Sequence, residues 1–268
     1  MARRNPVLLI DADVLRYQLA YSNTKTVQWD EGDDKLEVVN ESRAFVKLEE
    51  WLMELLEKFK TDEFVLALSC KQHNYRKGLY PDYKAQRKVR PKPALWYALD
   101  AFIAQTWPAH VREFPNLEGD DVLGLISTRP VNRDFIVVSI DKDLRTVPCH
   151  LYNPNKPDMG VVPVSETEAN LFWMTQVLTG DSTDNYPGLP GIGPKRAEEI
   201  LRPAHQKSPY LTVGEHLSAL WDTVVSAYVQ RGSTADAALT QARLARILRH
   251  GDYTPKTQTV HLWTPPEP

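Results

Sequence analysis

The chain has 268 residues and a formal net charge of −3, with 42% hydrophobic and 25% charged residues, the ordinary composition of a soluble globular protein. That length buries a real core, as one large domain or as a domain with an appendage. Two cysteines, Cys70 and Cys149, exclude a disulfide framework and a zinc-site spacing, and the apolar run before Asp11 is only four residues, Val7 to Ile10, too short for a signal peptide or a membrane span. A reducing cytoplasm is the expected compartment.

In chain order, Val7 to Ile10 is an apolar run of strand type that ends at Asp11. Apolar spacing at Phe45, Leu48, Leu52, Leu55, Leu56 and Phe59 predicts a helix over 42–60. Phe64 to Leu68 reads as a second buried strand, 94–106 as a helix, 110–114 as a strand, 120–127 as a helix and 135–139 as a strand. This β–α alternation predicts an α/β fold with a mainly parallel central sheet and helices on both faces. From residue 165 the pattern turns helical: 166–179, then a Gly/Pro-rich turn segment, then a helix from 194. Residues 236–249 read as an amphipathic basic helix, and Trp263 to Pro268 as an extended or disordered tail. No internal repeat is visible. The expected units are an α/β domain over 1–164 and a helical part over 165–268, packed together as one.

Two charge features stand out against the near-neutral total. Residues 71–92 carry eight Lys or Arg against one acid, Asp82, with Tyr75, Tyr80 and Tyr83 interleaved. Alone, such a run is a solvated loop; beside an acidic site it suits a nucleic-acid substrate. The acidic site is four clusters: Asp11; Glu118, Asp120 and Asp121; Asp141 and Asp143; Asp181 and Asp184. Helix capping explains any one of them but four poorly; Asp13 alone is assigned to capping or to outer-shell support. Crowded carboxylates raise one another's pKa unless a cation sits between them. An all-oxygen donor set suits Mg²⁺ or Mn²⁺. In open α/β sheets ligands bind beyond the carboxyl ends of the strands, where these clusters fall. Gly191-Ile-Gly193, at a helix start and followed by Lys195 and Arg196, can hold a phosphate.

The ordered set of motifs resembles the 5′-nuclease (flap endonuclease) superfamily, most of all the stand-alone 5′→3′ exonucleases of T7-like short-tailed phages. Tyr83-Lys-Ala-Gln-Arg87 resembles the family's Tyr-Lys-x-x-Arg in the helical arch, and Glu118-Gly-Asp-Asp121 its Glu-x-Asp-Asp. Asp141-Lys-Asp143 resembles its Asp-x-Asp. Gly180-Asp-Ser-Thr-Asp184 with Gly191-Ile-Gly-Pro-Lys195 resembles its last ligand pair and helix–three-turn–helix module, here residues 165–202. Ala242-Arg-Leu-Ala-Arg-Ile-Leu-Arg249 and Leu262-Trp263 resemble the phage branch. One departure is Leu68-Ser-Cys-Lys71, where Ser69 or Cys70 stands in place of the family's aspartate.

The resemblance implies a PIN-like nuclease domain with a helical arch and a divalent-metal-dependent 5′→3′ DNA exonuclease. It leaves room for 5′-flap endonuclease and RNase H-like activity in phage replication, recombination or primer removal. Two Mg²⁺ or Mn²⁺ ions about 4 Å apart would clamp the scissile phosphate. Asp11, Glu118, Asp120, Asp121 and Asp141 are then nearest one ion, with Asp143, Asp181 and Asp184 at the second directly or through water. Lys84 and Arg87 would contact the phosphate, and Tyr83 would stack on a terminal base. Arg76, Lys77, Lys88, Gly191, Gly193, Lys195 and Arg196 become duplex contacts, and K⁺ is a further candidate ligand at the helix–three-turn–helix. The implied partner is double-stranded DNA with 5′ ends or flaps, with RNA–DNA hybrid as a second substrate, bound by a monomer. An alternative is open: Leu9-Ile-Asp-Ala-Asp-Val14 also fits a haloacid-dehalogenase-type phosphatase with Asp11 as nucleophile.

Overall fold

A computed structural model of the chain describes residues 5–27, 36–89 and 92–266; the side chains of 26, 27, 36, 88 and 89 lie outside the described set. Arg90 and Pro91, read above as part of the basic segment and its close, also lie outside it.

The core sheet is built on β1 (Val7–Asp11). After it come α1 (Ala12–Ser22), the hairpin of β2 (Thr24–Val27) and β3 (Leu36–Val39), α2 (Glu41–Phe59) and β4 (Phe64–Leu68). Next are α3 (Arg76–Leu79), α4 (Ala94–Thr106), β5 (Val111–Glu113), α5 (Gly119–Ser127), β6 (Phe135–Val138), β7 (Cys149–Tyr152) and β8 (Val161–Val164). The strand order is β5-β4-β1-β6-β7-β8, parallel except for β8. Both faces of β1 are covered, which is why its side chains are apolar without alternation. Leu8 and Ile10 pack under α1, α2 and α4, while Leu9 packs with Val122, Leu123 and Ile126 of α5. From β1 the chain crosses to β4 on one side and to β6 on the other, so the crevice opens beyond the carboxyl end of β1, at Asp11.

The second part comprises α6 (Glu166–Thr179), α7 (Pro194–His205), α8 (Val213–Gln230) and α9 (Ala235–Ala245), around Trp173, Met174, Leu201, Leu220, Trp221 and Tyr228. Two expectations are corrected here. The basic helix ends at Ala245 rather than 249, and Arg246 has extended backbone. Arg246 and Arg249 are buried: Arg246 pairs with Asp252, and Arg249 donates to the Thr146 carbonyl and to Asn170. Helical spacing of the arginines was real, but they dock the returning chain rather than face solvent. That return carries Ile247 and Leu248 onto α5 before a short hairpin, β9 (Tyr253–Thr254) with β10 (Thr259–Val260). The tail is docked at Trp263, which packs edge-on to Trp173 and Trp221 with ring centroids 4.8 and 5.1 Å away; Glu267 and Pro268 lie outside the described residues. No helix among the described residues is long and apolar enough to cross a membrane.

Segment 70–89 also differs from a continuous helical arch. It holds one helical turn, α3, and a 3₁₀ turn over Ala85–Val89. Pro81 and the left-handed backbone of Lys84 (φ 55°) interrupt any helix between them. The segment is folded down onto the carboxylates: Lys84 N donates to the Asp184 carbonyl at 2.8 Å, and Asn185 Nδ2 to that of Asp82 at 2.8 Å.

The turn after α6 depends on two glycines. Gly180 and Gly188 have φ of 65° and 62°, and a Cβ on Gly188 would lie 2.2 Å from the Gly180 nitrogen. Gly188→Ala is therefore expected to destabilise the protein by about 3 kcal/mol or more, because backbone would have to move against backbone. Thermal unfolding checks this, and a wild-type melting temperature would contradict it.

Candidate active site

Three aspartates come together at the crevice. Asp11 ends β1 and caps α1 by accepting from Val14 N at 3.1 Å. Its other oxygen accepts from Ser139 Oγ at 2.6 Å, and the same hydroxyl oxygen accepts from Asp141 N at 3.0 Å. Asp120 stands in the first turn of α5. Burial, Asp13 and Asp141 push the Asp11 carboxyl up to about 7, against the hydrogen bonds from Ser139 and Val14. Burial, then Asp11 and Asp141, push Asp120 well above the carboxylate range. Among the described residues no salt bridge reaches Asp11, Asp120 or Asp141. Burial and mutual repulsion disfavour the charged forms of Asp11 and Asp120, which a cation bound between them would favour.

The other carboxylates are all paired. Lys84 Nζ donates to Glu118 Oε1 and lies 3.4 Å from Asp184. Arg87 donates to Asp184 at 2.6 Å. Burial would raise Glu118, but Lys84 and Arg76 hold it down to about 2. Burial would likewise lower Lys84, but Glu118 and Asp184 raise it. Lys142 Nζ bridges Asp143 at 2.8 Å and Asp181 at 3.0 Å, and Gln176 Nε2 also donates to Asp143 at 2.6 Å. Asp181 Oδ1 accepts from Thr183 N and Asp184 N, which shapes the turn.

Three expectations need correction. Asp121 is not placed to hold metal. It is 0% exposed and its oxygens accept from both terminal nitrogens of Arg76 at 2.7 Å, from Glu118 N at 3.2 Å and from Leu248 N at 3.1 Å. Arg76 is not a duplex contact: it is 3% exposed, and it also donates to the carbonyls of Leu244 and Arg246. The pair clamps the segment after α9 onto α5. Tyr83 cannot stack on a base: it is 2% exposed, its ring is buried beside Tyr186, and its hydroxyl lies 2.9 Å from both Glu118 and Asp184.

Ser69, at the family's aspartate position, donates through its N–H and its hydroxyl to Asp13, and accepts from Gly119 N at 2.9 Å. Asp13 is thus not the α1 cap; Asp11 is, and Asp13 is held between β4, α5 and Arg16. A carboxylate from α1 comes to rest against Ser69. Residue type gave no signal for this, nor for Ser139 orienting Asp11. Lys77, Gly191, Gly193, Lys195 and Arg196 are exposed, as a surface contact requires; the Lys88 side chain lies outside the described residues. Gly191 has φ 76° and Gly193 caps α7.

The donor set at the crevice is oxygen only, which fits Mg²⁺ or Mn²⁺. Among the described residues no group of three or more His, Cys, Asp or Glu side chains is gathered closely enough to hold a metal ion by itself. Mg²⁺ takes one or two carboxylates and several waters, so a closed cage is not its pattern.

The family model for "5′-3′ exonuclease, N-terminal resolvase-like domain" matches residues 6–156. The chain belongs to this family. Similar proteins include the exodeoxyribonuclease of Enterobacteria phage T3, 28% identical over 97% of this chain and 93% of that protein. The exonuclease of Escherichia phage T7 is 28% identical at the same coverage. Flap endonuclease Xni of Shewanella halifaxensis is 33% identical over 48% of this chain and 55% of that protein. Among solved structures, the T5 D15 protein co-crystallised with metal ions superposes with a TM-score of 0.56 at 13% identity, over 90% of this chain and 98% of that one. That likeness supports the 5′-nuclease fold. Membership of the 5′-3′ exonuclease family removes the phosphatase alternative: Asp11 opens a nuclease crevice.

Proposed function

We propose that this 5′-3′ exonuclease is a Mg²⁺- or Mn²⁺-dependent enzyme that removes nucleotides from 5′ ends of duplex DNA, cuts 5′ flaps and accepts RNA–DNA hybrid. It works as a monomer in the cytoplasm of the host cell. The observation that carries this reading is the gathering of Asp11, Asp120 and Asp141, reached by no salt bridge among the described residues, beside Glu118 and Asp184, which Lys84 and Arg87 pair.

In this reading Asp11, Asp120 and Asp141 would serve one ion, directly or through water, and Asp143, Asp181 and Asp184 the second. Bound there, divalent metal supplies a lowered pKa for the attacking water and charge stabilisation at phosphorus. Water adds to phosphorus, one P–O bond breaks, and the products are a phosphate monoester and a hydroxyl end. Glu118 and Asp184 hold Lys84 and Arg87; were these cations to turn to the substrate phosphate, both carboxylates would be free to support the metal site. Lys84 then faces negative charge developing on the phosphate. Ser139 keeps Asp11 oriented, and Ser69 keeps Asp13 in place behind it. Gly191, Gly193, Lys195 and Arg196 grip the duplex backbone, with K⁺ beside them, and Lys77 and Lys88 extend the basic surface. Phosphate contacts carry no base information, so ends and structure are recognised rather than sequence.

Lys84→Ala is expected to slow single-turnover cleavage about 10²-fold or more, with duplex binding retained. A wild-type rate would take Lys84 out of the chemistry. The reading as a whole is tested by digesting duplexes labelled at the 5′ or the 3′ end, with Mg²⁺ and with EDTA, beside a 5′-flap substrate. Mg²⁺-dependent release of the 5′ label first is expected; release of the 3′ label first would overturn it.

A further inference from the structure

We propose that Lys142 is a tethered competitor for the second divalent ion, so that the Asp143/Asp181 position loads only when its ammonium is displaced. The proposal rests on the assignment of those two aspartates to a second ion. Lys142 lies between them in the chain's own Asp141-Lys-Asp143 motif and has no role in the reading above.

The geometry makes the case. The ammonium reaches one oxygen of each carboxylate, Asp143 Oδ1 at 2.8 Å and Asp181 Oδ2 at 3.0 Å. It thereby joins the turn after β6 to the turn after α6, the two elements a shared cation would have to join. Asp143 Oδ1 is further engaged by Gln176 and Asp181 Oδ1 by two backbone N–H groups. Lys142 thus takes the one Asp181 oxygen that the turn leaves free and shares Asp143 Oδ1 with Gln176. Its side chain is 66% exposed, against 15% for Lys84 and 3% for Arg76, so of the three cations it gives up least burial on turning into water. Among the described residues no salt bridge reaches the trio Asp11, Asp120 and Asp141. The two ions therefore meet unequal sites: the first enters carboxylates that no such salt bridge holds, and the second must break two charge-assisted hydrogen bonds.

A plain surface role is the competing account, in which Lys142 only pins the two turns together. The accounts differ in what ion binding does when the ammonium is removed. Breaking two exposed pairs is worth about three- to ten-fold in affinity. Mn²⁺ binding to the full chain, without DNA, is followed by the electron paramagnetic resonance signal of free Mn²⁺. Wild type is expected to show a tight and a weak class. Lys142→Gln should tighten the weak class about three- to ten-fold and leave the tight class unchanged, and Asp181→Asn should remove the weak class in either background. A weak class that is unchanged or weaker in Lys142→Gln, with the same melting temperature as wild type, overturns the proposal and leaves the second-ion assignment standing. Absence of a weak class from both proteins overturns the assignment and the proposal together.

Discussion

Asp120→Asn is expected to abolish Mg²⁺-dependent cleavage and, in EDTA, to raise the melting temperature. Asp120 has no salt bridge or hydrogen bond among the described residues, while Asp11 and Asp141 repel it and burial disfavours its charge. Asparagine keeps the shape and removes the repulsion. It also removes a negative charge from the first turn of α5, a loss of about 0.3–1 kcal/mol against the helix dipole. The relief from two like charges in a partly buried crevice is larger, so a net gain of about 1 kcal/mol is expected, or roughly 2–4 °C. Loss of a metal-binding carboxylate removes several kcal/mol from the transition state, about 10³-fold or more in single-turnover rate. Duplex binding in Ca²⁺ should stay within about two-fold of wild type, since the basic surface is untouched. Stability that trades against activity in this way marks a site strained for function. An active Asp120→Asn enzyme, or one less stable than wild type in EDTA, would be the contrary result.

Asp121→Ala should behave in the opposite way, though it is the adjacent residue of the same motif. Removing it strands Arg76 as a buried cation and leaves Glu118 N and Leu248 N without their acceptor. Breaking one side of a buried pair costs about 3–5 kcal/mol, which lowers the melting temperature by roughly 10 °C. The segment after α9, which Arg76 and Asp121 together clamp to α5, should come loose first. Activity should follow the folded fraction and return on cooling. The double substitution Arg76→Met/Asp121→Leu should recover much of the loss, because neither charge is then stranded. Calorimetry on the two single variants and the double variant checks this. An Asp121→Ala protein with wild-type stability and no cleavage at any temperature would restore Asp121 to the metal ligands.

The two aspartates show where sequence reading stops. Both sit in Glu118-Gly-Asp-Asp121 and both are acidic residues at a helix start; one faces the crevice and the other faces Arg76, 45 residues away. Composition cannot tell them apart, because the difference is a long-range ion pair. The basic segment misleads in the same way. Arg76 reads as surface charge, yet the fold spends it inside. The central strands were legible because Val7–Ile10, Phe64–Leu68 and 135–138 are apolar on both faces. The outer strands β7 and β8 were not: Cys149–Tyr152 carries an exposed His150, and Val161–Val164 contains Pro163, tolerated at an edge. Helix α1 was hidden because its inner face includes Arg16, buried by pairing with Asp13 and Asp100. The spacing at 42–60, 94–106 and 166–179 was enough for α2, α4 and α6 because their buried residues are apolar or nearly so.

If Asp11, Asp120 and Asp141 form the primary metal position and Asp121 is structural, bound manganese will report it. The most direct measurement is an anomalous difference map from crystals soaked in Mn²⁺ and recorded at the manganese edge. The strongest peak is expected within bonding distance of at least one of Asp11, Asp120 and Asp141, with Asp121 still paired to Arg76. A strongest peak bonded to Asp121, or one remote from all three of these aspartates, would contradict it.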